Sequence, residues 1–171
     1  YRFVEENMEI LQKSATLLKT ESSLLVEKVE KVLQEEKEKS REIASLKEKI
    51  AKQEAEALYS HMLEMAGAKV FMAKYEDKSM DDLRKMIDFV KDKEENAIVV
   101  LTSTLEKLSF AVGVSEALTS KWKAGNLVKI LAEITGGKGG GKPDFAQAGG
   151  KDKTKIAEAM EAVKKAIQEK E

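Results

Sequence analysis

Residues 136–150 (GGKGGGKPDFAQAGG) concentrate the residue types that could approach a phosphate group. This stretch holds seven of the ten glycines in the chain. Glycines allow positive φ and let backbone N–H groups line a concave, anion-accepting surface, to which Lys138 and Lys142 add positive charge. The same glycines could instead cap the preceding helix and let the segment pack tightly against its own domain. We favour direct nucleic-acid contact within this stretch, and the packing alternative stays open.

The segment from Gly136 to Lys142 also satisfies the GxxxxGK spacing of a nucleotide-binding P-loop. Pro143 stands where a Ser or Thr hydroxyl would hold Mg²⁺. The preceding segment is predicted to be a helix instead of a strand, and no helix is predicted directly after the lysine. These three departures argue against a kinase or ATPase site.

Trp122 lies between Lys121 and Lys123, a pattern that could stack a base while the two lysines meet phosphates. The indole could equally be the large aromatic side chain of a small core, which is the interpretation that we favour. All three residues are kept as candidates for nucleic-acid contact.

The remaining chemistry-bearing residues predict neither a catalytic site nor a metal site. His61 is the only histidine and there is no cysteine, so the usual ligands of a zinc site are missing. Asp81, Asp82 and Asp88 are explained by the preference of helix starts for acidic residues.

Charge and composition place a nucleic-acid surface in the last third of the chain. The net charge is only −1, but residues 121–171 carry 11 basic and 7 acidic groups, a local +4 that would attract phosphates. With 36% charged and 5% aromatic residues, part of the chain is expected to be extended helix. No apolar run suggests a membrane span, and we expect a cytoplasmic protein. Because the chain starts at Tyr1 inside a helical pattern, we expect it to be a fragment of a longer protein.

Residues 1–66 are predicted to form a helical hairpin or coiled-coil-like arm. The first helix has an apolar seam at four- and three-residue steps, comprising Val4, Met8, Leu11, Ala15 and Leu18. Thr20, Ser22 and Ser23 are candidate N-caps at a break before the second helix. That helix, residues 23–58, would be roughly 54 Å long. Apolar residues at heptad spacing lie on one face of this helix, and we call them the apolar frame: Leu25, Val29, Val32, Ile43, Leu46, Ile50 and Ala57. A spacer or a weakly self-associating arm is expected, and a homodimer is possible.

Residues 67–171 are predicted to form a small α/β domain with a mixed sheet, which makes the fold class α+β overall. Ala68–Tyr75 and the β-branched run 97–102 read as parallel strands, and the helix between them opens with a capping box at Ser79 and Asp82. Residues 109–114 should return antiparallel. A helix near 126–134, the glycine-rich loop and a last helix starting near Asp152 complete the domain.

Around the glycines the sequence resembles a known family, the C-terminal domain of alanyl-tRNA synthetases. A related domain ends the Asp-His-His phosphoesterases, which include single-strand exonucleases. The resemblance covers residues 67 to about 168, and the helical arm matches the synthetase layout. It is carried by GGxGGG at 136–141, Lys142, Pro143, Ala146, Gln147, Gly149 and Gly150.

The resemblance implies a domain that contacts the outer corner of tRNA(Ala) and helps one tRNA serve both aminoacylation and editing. Both active sites, with ATP, Mg²⁺ and Zn²⁺, would lie in upstream domains of the parent ligase. The predicted nucleic-acid contacts are Gly136, Gly137, Lys138, Gly139, Gly140, Gly141, Lys142, Gln147, Gly149, Gly150, Lys121, Trp122 and Lys123. The alternative is the substrate-binding C-terminal domain of an Asp-His-His phosphoesterase. A purely structural coiled-coil dimeriser would leave the glycines unexplained.

Overall fold

The structure, a computed structural model, describes residues 1–170. It divides into two compact units, one from Tyr1 to Glu48 and one from Lys49 onward. We call them the helical unit and the sheet unit.

The helical unit contains α1 (Arg2–Leu17), a 3₁₀ turn (Ser22–Leu24) and most of α2 (Leu25–Ala57). Helix α1 ends in a glycine-free Schellman motif: Lys19 has φ 51°, and the Thr20 N–H donates to the Ala15 carbonyl at 2.9 Å. The break between the helices therefore falls where we predicted it. Its cause differs, because the residue before the 3₁₀ turn is Glu21, which makes no capping side-chain hydrogen bond.

The sheet unit has six strands in the order β1-β2-β3-β4-β6-β5. Strands β2 and β3 are parallel, and the other neighbours are antiparallel, so the predicted mixed sheet is confirmed. The strands are β1 (Leu63–Met65), β2 (Ala68–Tyr75), β3 (Ala97–Ser103), β4 (Ser109–Val114), β5 (Lys138–Gly141) and β6 (Phe145–Gly149). The helices are the end of α2, α3 (Met80–Lys93), α4 (Ala124–Ile134) and α5 (Ile156–Gln168).

Helix α3 makes the crossover between the two parallel strands and begins at the predicted capping box. The Asp82 N–H donates to Ser79 Oγ, and the Asp82 carboxylate accepts from the Ser79 N–H at 2.9 Å. The Ser79 hydroxyl also donates to that carboxylate, and these bonds lower the pKa of Asp82. The carboxylate of Asp82 therefore serves to cap the helix start, while Asp81 and Asp88 pair with Lys85 and Arg84 of the same helix.

Two hydrophobic cores lie on opposite faces of the sheet. One face, which includes Val100, Phe110 and Val112, packs against α4 and α5. The other, which includes Phe71 and Leu101, packs against α3 and the end of α2. We call these the α4 side and the α3 side. Alternate strand residues face alternate sides, so register alone assigns the side of every residue in the sheet.

The glycine-rich stretch differs from the predicted loop, because most of it forms the outer β-hairpin of the sheet, β5 and β6. Strand β1 was also not predicted. Glycine has low β-propensity and three residues give no clear alternation, so both edge strands depend on pairing with a neighbour and not on local pattern.

The sheet unit begins before residue 67, where the sequence placed the domain boundary. Ala55 and Leu58 are buried against the α3-side core, and Lys78 pairs with Glu54 at 2.7 Å. Strand β1 pairs with β2. Residues 49–66 therefore contribute core, an ion pair and an edge strand to the sheet unit.

We predict that a chain starting at Lys49 keeps a cooperative thermal transition, whereas one starting at Gly67 melts at clearly lower temperature. The second truncation removes the buried side chains of Ala55, Leu58 and Met65 and exposes β2 as an edge. Burial of each of the two larger side chains is worth roughly 2 kcal/mol. Circular dichroism melts of the two truncations and the full chain measure this. Equal melting temperatures for both truncations would show that residues 49–66 do not support the sheet.

Candidate nucleic-acid interface

Hairpin β5–β6 forms one border of the sheet and carries most of the glycine-rich stretch. Lys138 pairs with Gly149 and Gly140 with Gln147 in the antiparallel register. Beyond the strands, the Lys142 N–H donates to the Phe145 carbonyl at 2.8 Å and closes the tip. That bond fixes which residues of β5 hydrogen-bond to β6. The backbone N–H and C=O groups of residues 139 and 141 therefore point away from β6, toward the open edge of the sheet.

The α4 side of the hairpin has no room for side chains on β5. A Cβ built on Gly139 would lie 2.1 Å from the Ala148 Cβ, and one on Gly141 would lie 2.6 Å from the Ala146 Cα. Helix α4 packs directly on both strands of the hairpin. Glycine at these two positions is therefore explained by packing.

The glycines at the base of the hairpin connect it to helix α4. Gly136 has φ 69°, and the Gly137 N–H donates to the Ala132 carbonyl at 2.7 Å, as in a helix-ending Schellman motif. A Cβ on Gly137 would meet the Gly149 carbonyl at 1.7 Å, and one on Gly150 would meet Thr135 Oγ1 at 2.6 Å. The capping and packing alternative thus accounts for five of the seven glycines.

The α3 side of the hairpin is open. A Cβ on Gly140 would meet no atom within 4 Å, and one on Gly149 would meet only the Leu108 carbonyl oxygen, at 3.8 Å. Register places Lys138 and Gln147 on this same side, and both side chains are exposed. Packing does not require glycine at 140 or 149, so these two positions leave room for the close approach of a ligand.

A groove lies between the tip of the hairpin and the first turn of α4. Its volume is about 290 Å³. The Ala124 N–H donates to the Pro143 carbonyl at 2.8 Å and holds the helix start against the tip. The lining residues, which we call the tip groove, are Lys123, Gly125, Asn126, Lys129, Gly140, Gly141, Lys142 and Pro143. Three lysines thus converge on a glycine floor beside the positive end of a helix dipole.

The cations around the hairpin are not neutralised within the protein. Among residues 1–170, none of the eleven lysines from Lys121 to Lys170 forms an ion pair. The acid next to the tip, Asp144, is instead paired with Lys91, at 3.4 Å. The local positive charge is therefore available to an external anion.

The structure places the three predicted contact residues Lys121, Trp122 and Lys123 in different environments. The indole is 1% exposed and belongs to the α4-side core, so it cannot stack on a base. This corrects its inclusion among the contact candidates and supports the core interpretation. Lys121 lies over the indole, with Nζ 4.5 Å from the ring centroid, and within 3.5 Å of the Ala66 carbonyl. Only Lys123 of the three lines the tip groove.

Arg84, Asn126 and Lys129 line cavities at the hairpin but were not among the site residues predicted from the sequence. Asn126 and Lys129 are three residues apart at the start of α4, a spacing that puts both on one helix face and that could have indicated them. Arg84 is on α3, 61 residues before Phe145, yet its guanidinium carbon lies 4.8 Å from the Phe145 ring centroid. No sequence signal identifies that contact.

His61 is exposed at the end of a 3₁₀ turn that follows α2. Across residues 1–170, no group of three or more His, Cys, Asp or Glu side chains is arranged to hold a metal ion. In that same part of the chain, no helix has the length and apolar character needed to cross a membrane.

The fold and the groove define an α+β domain that presents unpaired lysines around a glycine-rich edge hairpin. Residues 66–169 match the family model described as the DHHA1 domain. The match covers more than half of the chain, and the chain belongs to the DHHA1 domain family.

Relatives that align with nearly the whole chain are described as alanine–tRNA ligases. The enzyme of Fusobacterium nucleatum is 53% identical over 170 residues, which is 99% of this chain and 20% of that protein. The enzymes of Alkaliphilus oremlandii and Carboxydothermus hydrogenoformans are each 40% identical over 98% of this chain and 19% of theirs. The chain thus spans about a fifth of the length of these relatives.

Solved structures show the same fold. The C-Ala domain from Aquifex aeolicus alanyl-tRNA synthetase has a TM-score of 0.59 and 25% identity, covering 63% of this chain and 97% of that domain. A protein with a DHH domain, described as a member of a family of ribosomal proteins, has a TM-score of 0.50 and 17% identity, covering 86% of this chain and 34% of that one. The resemblance to the synthetase C-terminal domain that the glycine motif indicated is confirmed.

We predict that Gly139→Ala lowers the free energy of unfolding by about 2 kcal/mol or more, whereas Gly140→Ala changes it by less than about 0.5 kcal/mol. The first adds a methyl group where Ala148 already stands, and the second adds one to open space. Urea denaturation of both variants, which carry the same substitution one residue apart, measures the difference. Equal losses would contradict the assignment of the two glycines to opposite sides of the hairpin.

Proposed function

We propose that this chain is the C-terminal, tRNA-binding part of an alanine–tRNA ligase. The alignment with such ligases includes the helical unit as well as the sheet unit, since it covers 98–99% of the chain. The solved C-Ala domain adds support from the fold.

The observation that carries this proposal is the set of unpaired lysines around the tip groove. Lys123, Lys129 and Lys142 line a groove whose floor is backbone, so a phosphate could reach both N–H groups and ammonium groups there. Neutralising phosphates releases their counterions, which favours binding and makes it sensitive to salt. Lys138, at the other end of β5, would add a contact roughly 13 Å away at 3.3 Å per residue.

Within the parent ligase, the chain would hold tRNA(Ala) while upstream domains act on its acceptor end. Those domains would attach alanine in an ATP-dependent reaction and hydrolyse mischarged tRNA, with ATP, Mg²⁺ and Zn²⁺ bound there. The role of the residues in this chain is to bind and orient the RNA.

The alternative, a phosphoesterase C-terminal domain, has weaker support. A DHH-domain structure shares the fold at 17% identity, which bears on fold alone. The ligase relatives instead align with 98–99% of the chain at 40–53% identity.

We further propose that the helical unit allows two chains to associate. The predicted apolar frame on α2 is exposed, with Val29 at 38%, Ile43 at 52% and Leu46 at 50%. Side chains at heptad spacing with this exposure suit a partner helix.

For this association, we predict that the average molecular mass of the protein in solution rises with its concentration. The double variant Ile43→Lys with Leu46→Lys should not show this rise. Charges in the frame would have to be desolvated at a helix interface. Light scattering over a broad concentration range measures it, with Glu42→Lys as a charge-changing control beside the frame. A monomer mass for the unaltered chain at every concentration would refute the dimer.

For tRNA, we predict that the chain binds a folded tRNA(Ala) transcript better than an unstructured RNA of equal length. Lys123→Ala and Lys142→Ala should each reduce the slope of log affinity against log salt by about 1, with little change in selectivity among tRNAs. Lys37→Ala on α2 is the control, and the slope should not change. Binding of the labelled transcript at several salt concentrations measures all of them. If neither groove variant alters the slope, the phosphate surface lies elsewhere.

A further inference from the structure

The α3 side of the β5–β6 hairpin forms a small shelf that phosphate binding alone does not explain. Along β6 it presents Phe145, Gln147 and Gly149, and along β5 Gly140 and Lys138. A cavity of about 390 Å³ opens over it, bordered by Arg84 of α3 and by the tip of the hairpin.

Arg84 gives the shelf a planar, cationic wall. Its guanidinium carbon lies 4.8 Å from the Phe145 ring centroid, so the aromatic ring supports one side of the group. The Arg84 side chain is 61% exposed, which leaves the guanidinium accessible, and the Asp88 carboxylate is no closer than 4.0 Å. A guanidinium plane held in this way is a stacking surface for a nucleobase.

Gln147 gives the shelf an unused hydrogen-bonding edge. Its side chain is exposed, and within residues 1–170 it makes no hydrogen bond to the protein. An amide offers two donor hydrogens and one acceptor oxygen, as needed to pair with the edge of a base. Directly beside it, Gly140 has nothing within 4 Å of a built Cβ, so a flat ring could approach the sheet.

From these contacts we infer that the shelf binds one unstacked nucleobase of the bound RNA, stacked on Arg84 and hydrogen-bonded to Gln147. Lys138 and Lys142, at the two ends of β5, would hold the adjoining phosphates. The inference rests on the proposed RNA binding and adds a base-recognition site to it. Arg84 and Gln147 thereby act as specificity-determining residues in addition to the phosphate-binding lysines.

The shelf can be tested in the full chain without RNA. In amide-resolved NMR titrations, AMP or CMP should shift the Gln147 side-chain NH₂ and the Arg84 Nε–H signals, and ribose 5-phosphate should not. Ribose 5-phosphate carries the sugar and phosphate without a base, so any shift common to both reports phosphate binding. If ribose 5-phosphate shifts these two signals as strongly as the nucleotides do, or if no ligand shifts them, the base site is refuted.

Binding of the labelled tRNA(Ala) transcript tests whether the base comes from the RNA. Arg84→Lys keeps the charge and removes the planar group, so affinity should fall about tenfold, within the usual range for one stacked base, while the salt slope stays the same. Gly140→Val fills the shelf and should cause a similar loss with no change in melting temperature. Lys74→Arg, an exposed substitution on another strand, is the control.

The outcomes separate the two proposals. If the unaltered chain binds the transcript but Arg84→Lys binds equally well, the base site is refuted and the proposed RNA binding stands. A nucleotide-specific NMR shift without transcript binding contradicts both the tRNA proposal and the RNA origin of the base. That result would indicate a site for free nucleotides.

Discussion

The close approach of strands β5 and β6 on the α4 side of the outer hairpin is the constraint on which the candidate site depends. A methyl group at residue 137, 139 or 141 would lie 1.7–2.6 Å from atoms of β6, so there is no room for a side chain at these three positions. Helix α4 packs on both strands of this hairpin. Its first turn reaches the hairpin tip, where the Ala124 N–H donates to the Pro143 carbonyl at 2.8 Å and a Cβ on Gly125 would lie 3.2 Å from the Gly141 carbonyl oxygen. That contact creates the tip groove and brings Lys123 and Lys129 beside Lys142.

The same constraint gives the two sides of the hairpin different roles. One side is used for packing, so the other remains accessible at the border of the sheet. An exposed edge strand risks pairing with another chain, but β5 has only four residues, begins with Lys138 and is followed by Lys142. Short length and terminal charge protect the edge while leaving its backbone accessible to a small or anionic partner.

The sequence predicted those parts of the fold that local pattern determines. The β2–α3–β3 unit followed from a capping box and a continuous β-branched run, and both are present. The hairpin could not be predicted in this way, since a run of glycines has no alternation and forms a strand only when β4 offers an edge to β6. The candidate site follows the same division. Lys138, Lys142 and the glycines could be predicted from the sequence, but the side of the sheet on which each one lies is set by the strand register. Arg84 contacts Phe145 only because α3 packs on the sheet.

Trp122, the only tryptophan of the chain, lies in the α4-side core and is 1% exposed. It belongs to the interior of the sheet unit, on the opposite side of the sheet from the shelf. Its intrinsic fluorescence should therefore behave as a clean optical signal of whether this core is intact: unfolding would shift the emission to longer wavelength as water reaches the indole. A nucleotide bound on the shelf would lie on the other side of the sheet from the indole, so the emission would report on the core and not on occupancy of the shelf.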